Sequence, residues 1–89
     1  MAEENGEIIL VFASNTIILE VEELLEEKEL PFVLIPVPKE VNPNCGLAVS
    51  FLEEDKDPIL RELDRANLWP QSSYLRKGDD FRDYPVSRI

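Results

Sequence analysis

The chain has 89 residues, 44% of them hydrophobic and 31% charged, with 9 cationic and 19 anionic side chains and a net charge of −10. This length supports one domain with one modest core, and the composition is that of a globular chain rather than a disordered one. No apolar run reaches the roughly 18 residues a membrane span needs, and so acidic a domain is repelled by phosphate backbones, so neither a membrane nor a nucleic acid is an expected partner.

The charge is uneven: residues 1–75 carry 5 cations and 16 anions, whereas residues 76–89 carry 4 and 3. The N-terminal Met-Ala-Glu-Glu-Asn-Gly-Glu is acidic and lacks the positive start of a secretory signal. One cysteine cannot form an internal disulfide, and a cytoplasmic setting is expected.

The first element is Glu7–Ala13, a short continuous apolar run rich in β-branched residues. That reads as a central strand buried on both faces. Ser14, Asn15 and Thr16 follow, three residues that favour a helix N-cap. Ile17, Ile18, Val21, Leu24 and Leu25 then recur along one helical face, with Glu20, Glu22, Glu23, Glu26 and Glu27 on the other. The spacing predicts a helix over about residues 15–29, stopped by Pro31.

Phe32–Val37 is a second strand, and Pro36 assigns it to a sheet edge. A proline-bearing loop over residues 38–44 leads to Gly46–Leu52, where Leu47, Val49 and Phe51 alternate with Gly46, Ala48 and Ser50. This is a third strand, paired with the second as a hairpin. Asp57-Pro58 signals the start of a second helix over about residues 58–67, with Ile59, Leu60, Leu63, Ala66 and Asn67 on one face. Ser73–Lys77 is a short fourth strand. Residues 78–89 lack periodicity and read as a loosely ordered tail beyond a single domain over residues 1–77.

The order β-α-β-β-α-β implies an α+β fold of the ferredoxin-like, split βαβ kind: a four-stranded antiparallel sheet with two helices on one face. The first two strands offer apolar side chains to both faces, so the uncovered face is a candidate surface for a partner or for a homodimer.

Within that layout the loop into the third strand and the start of the first helix share one end of the sheet. Cys45 is thereby brought toward Ser14, Asn15 and Thr16. Unpaired amides and the helix macrodipole stabilise a thiolate there, lowering a thiol pKa from its usual value of about 8.5. Lys39 supplies a second positive charge, and Gly46 lets another molecule's backbone approach the sulfur. The alternative is packing: a lone cysteine beside a core strand often serves as a small buried hydrophobe. Other chemistries lack their residues. There is no histidine for a Cys-His pair or a metal site, and the three glycines lie too far apart for a phosphate loop. No metal and no cofactor are expected.

The stretch Val11-Phe12-Ala13-Ser14, the acidic helix after it, and above all Pro36-Val37-Pro38-Lys39-Glu40-Val41-Asn42-Pro43-Asn44-Cys45-Gly46-Leu47-Ala48 resemble the selenium/sulfur carrier family. These are small bacterial and archaeal domains, found alone or joined to a sulfur-relay domain. The resemblance covers about residues 7–75. It implies a carrier rather than a true enzyme, holding sulfur or selenium on Cys45 with Gly46 beside it, and it implies donor and acceptor proteins as partners. Two positions depart from the family: Lys39 stands where arginine is usual, keeping the charge without the planar fork, and Asn44 replaces a small hydroxyl residue. The competing function is a non-catalytic interaction or regulatory module that uses the open sheet face.

Overall fold

The structure, a computed structural model, describes residues 6–37 and 46–86. The elements in chain order are β1 (Glu7–Val11), α1 (Asn15–Glu27), β2 (Val33–Pro36), β3 (Leu47–Leu52), a 3-10 turn (Glu53–Asp55), α2 (Lys56–Arg65), β4 (Ser72–Lys77) and β5 (Asp80–Asp83). They form an α+β fold with two helices and one five-stranded sheet in the order β2-β3-β1-β4-β5, every neighbouring pair antiparallel. The first four strands and both helices are compatible with the ferredoxin-like layout.

The expectation of four strands is corrected to five. Lys77 pairs with Asp80, so Gly78-Asp79 is a two-residue hairpin turn. Gly78 has φ +58 and Asp79 does not have a positive φ, as in a type II′ turn, whose twist suits antiparallel strands. Tyr74 and Phe81 stack across this hairpin with ring centroids 4.9 Å apart. Beyond β5 the chain stays attached: the Tyr84 N–H donates to the Ser73 carbonyl at 3.1 Å, and the Ser73 hydroxyl donates to the Tyr84 carbonyl at 2.6 Å.

Side chains alternate across the sheet as strand geometry requires. Ile8, Leu10 and Phe12 of β1 and its extension, with Val49 and Phe51 of β3, face the helices. There they meet Ile18, Val21 and Leu25 of α1 and Ile59 and Leu63 of α2, all fully or almost fully buried. Ile9, Val11 and Ala48 point to the opposite face.

Both helices end by the same device. The chain after α1 reaches a left-handed conformation at Glu29 (φ 58), where the Glu29 N–H donates to the Glu26 carbonyl and the Leu30 N–H to the Leu25 carbonyl. The chain after α2 repeats this at Asn67 (φ 59), with Asn67 bonded to Asp64 and Leu68 to Leu63. These are Schellman closures, and Leu30 and Leu68 then pack back onto the core. The helix α1 therefore stops before Pro31, which lies beyond the turn that ends it.

The start of α2 also differs from the sequence reading. The acidic 3-10 turn feeds straight into a helix beginning at Lys56, with Asp55 in the cap position and no side-chain cap bond. Pro58 is then the third helical residue rather than the first. Its missing N–H costs nothing there, because none of the first four helix amides has an intrahelical acceptor.

The edge strand β2 carries its proline at a tolerated position. The Val37 N–H donates to the Gly46 carbonyl at 3.0 Å, continuing the β2–β3 register. Because antiparallel pairs alternate, Val33 and Ile35 exchange bonds with β3, while the backbone groups of Leu34 and Pro36 turn away from it. Pro36 thus removes a donor that the ladder never uses.

Candidate functional site

The end of β1 and the start of β3 lie at the same end of the sheet, since β1 and β3 run antiparallel with Leu10 opposite Val49. The start of α1 and Gly46 are therefore at that end too. Ser14 is the residue that caps α1. Its backbone is extended (φ −154, ψ 163), its hydroxyl accepts the Ile17 N–H at 3.3 Å, and its carbonyl accepts the Ile18 N–H at 3.2 Å. Asn15 and Thr16 are exposed first-turn residues of the helix, not caps. No acidic side chain occupies that first turn, so nothing on the turn itself offsets the positive end of the helix dipole.

Gly46 is exposed at the mouth of the β2–β3 hairpin. A Cβ added there would meet no atom of the described residues within 4 Å, so packing against those residues does not demand glycine at this position. Gly6 is the contrast. A Cβ at Gly6 would come within 2.6 Å of the end of the Leu75 side chain, and the Gly6 carbonyl accepts the Glu53 N–H at 2.9 Å. Cys45 and Lys39, the other two members of the site read from the sequence, lie outside the described residues.

Comparison with known families bears on this end of the sheet. The model of the family described as "Putative Se/S carrier protein-like" matches residues 7–75, from the first residue of β1 into β4. The chain belongs to this family. No curated protein and no solved structure matches it. The match spans the β2–β3 connection and position 45, and it stops short of β5 and of Tyr84.

A polar cluster that the sequence reading missed sits on the open sheet face at the opposite end. Glu7, Arg76 and Ser50 come from three adjacent strands, and Glu7 lies directly opposite Arg76. The Arg76 guanidinium donates to one Glu7 oxygen, Nε at 2.9 Å, and the Ser50 hydroxyl donates to the other. Partial burial by itself would raise the Glu7 carboxyl, but the Ser50 and Arg76 hydrogen bonds and the Arg76 charge outweigh it and hold the carboxyl below the usual carboxylate range. The signal existed only in the strand register, which brings residues 7, 50 and 76 together.

Near the C-terminus, Tyr84 holds Lys56 above the usual lysine range, chiefly through a hydrogen bond. Among the described residues no cluster of three or more His, Cys, Asp or Glu side chains could hold a metal ion. No helix of the described residues is long and apolar enough to cross a membrane.

Proposed function

We propose that this chain carries sulfane sulfur or selenium on Cys45 and passes it between partner proteins. The observation that carries this reading is the family match across residues 7–75, which includes the chain's single cysteine. Two features support it. Ser14 caps a helix whose first turn holds no acid, at the sheet end where Gly46 leads into β3. Gly46, the residue after Cys45, is exposed and unconstrained by neighbouring packing among the described residues, which leaves room for another protein's backbone.

The chemistry is an exchange without net oxidation. The Cys45 thiolate attacks the outer sulfur of a donor persulfide. A new S–S bond forms on Cys45, the donor S–S bond breaks, and the donor leaves as a thiolate. An acceptor thiolate then attacks the outer sulfur and returns Cys45 to its starting state. A selenium-bearing donor follows the same course through a selenosulfide. With no second cysteine, no internal disulfide competes with delivery. Lys39, six residues earlier in the chain, is assigned to stabilise the anion. This chemistry needs a reduced thiol, which supports reading the carrier as cytoplasmic.

Incubation with a cysteine desulfurase and free cysteine is expected to add one sulfur atom to Cys45, read by intact and peptide mass spectrometry and absent in Cys45→Ser. Recovery of only unmodified protein, under conditions that load an established carrier, would reject the proposal.

A second reading, a non-catalytic interaction module, draws on one observation. Val33, Leu52 and Phe81 are 56%, 43% and 46% exposed, and the strand register puts all three on the open sheet face.

A further inference from the structure

At the end of the sheet remote from Gly46, the edge strand β2 borders a cleft of about 350 Å³. Pro31, Phe32, Val33 and Leu52 give it apolar walls, and Glu7 and Asp55 are its charged groups. Among the described residues no lysine or arginine lines it. Glu7 is already matched by Arg76, whereas Asp55 has no ionic partner among the described residues and ends the acidic turn Glu53-Glu54-Asp55. The lining of the cleft is thus mostly apolar, and its charged groups among the described residues are anionic. Beside it the Leu34 N–H and carbonyl point away from β3, along an edge where no strand of the described residues lies beyond. Pro36 removes the next outward donor, so strand pairing on this edge is confined to the end that adjoins the cleft.

We infer that this cleft and the β2 edge dock an extended, cationic segment of a partner protein, which adds main-chain hydrogen bonds at Leu34, seats an aliphatic or aromatic side chain against Val33 and Leu52, and sets a lysine or arginine beside Asp55. Strand addition supplies affinity through the backbone and selectivity through alternate side chains. The sign of the charge selects the occupant. A second copy of this chain would bring another net charge of −10 to a cleft whose charged groups are Glu7 and Asp55, whereas a basic segment is drawn to it. The inference does not depend on Cys45.

A displayed library of random hexapeptides, selected against the full chain, tests this. Enriched peptides are expected to carry an apolar residue flanked by Lys or Arg. A synthetic representative should shift the amide signals of Val33, Leu34 and Leu52. Leu52→Lys should weaken its binding at least tenfold, and Asp55→Lys should remove the preference for basic residues while leaving the apolar one. Leu52 is exposed, and thermal unfolding of both variants checks that they remain folded. No enrichment, enrichment of acidic peptides, or binding indifferent to Leu52→Lys would overturn the inference. So would a wild-type dimer in sedimentation that Leu52→Lys dissociates, since the occupant would then be a second copy.

Discussion

The two faces of the central strands are equally hidden and differently built. Ile8 and Leu10 on one face are 0% exposed, and Ile9 and Val11 on the other are 2% and 1%. On the first face both helices press side chains into the sheet, and ten buried side chains form one continuous cluster. On the second, among the described residues, only Ile9, Val11 and Ala48 form a buried cluster, with Ile35, Val37 and Tyr74 packed around them from neighbouring strands. Loss of solvent contact therefore does not measure how much depends on a side chain. A residue locked between two layers leaves a rigid void when truncated, whereas one covered from within its own sheet leaves a void that neighbours can close.

The sharpest test of this difference is a matched pair of truncations. Leu10→Ala is expected to cost about 3–5 kcal/mol, and Ile9→Ala about 2–3 kcal/mol, in urea unfolding monitored by circular dichroism. Equal losses would erase the distinction. The next effect tests the polar centre of the open face. Because the folded Glu7 carboxyl titrates below its unfolded value, its contribution to stability is complete above the unfolded pKa and is lost as pH falls through the folded one. Glu7→Gln should therefore be less stable than wild type near neutral pH, and the gap should close as pH falls below the ordinary carboxylate range in paired urea titrations. A gap that persists in acid would mean the side chain matters for its shape and not its charge. The smallest effect is expected at the rim: Val33→Ser, at a side chain more than half exposed, should change stability by no more than about 0.5 kcal/mol.

Much of the scaffold was legible because hydrophobic period reports which face is buried. The α1 stripe of Ile18, Val21 and Leu25 and the edge position of Pro36 both follow from patterns of residue type. The fifth strand was not, since Asp-Phe-Arg-Asp buries little and reads as polar tail. Its one clue was Gly78-Asp79, a hairpin dipeptide whose meaning depends on β4 preceding it. The helix ends were hidden for another reason: Glu29 and Asn67 take the left-handed position that glycine normally announces. Within the candidate site, Ser14 was foreseen as one of three possible caps, and only its bond to Ile17 separates it from Asn15 and Thr16. Cys45 and Lys39 lie outside the described residues, so their part of the site rests on sequence and family. The Glu7–Ser50–Arg76 cluster had no local signature, because its members are far apart in the chain and meet only through pairing.

Those two left-handed residues carry a consequence for the evolution of the chain. A glutamate gives up about 1 kcal/mol relative to glycine in that conformation, and asparagine, which tolerates it better, gives up less. Neither Glu29 nor Asn67 is among the residues of the candidate site, so the fold keeps a small reserve at two solvent-facing corners. A lineage could draw on that reserve to offset a destabilising change near the thiol without touching the chemistry.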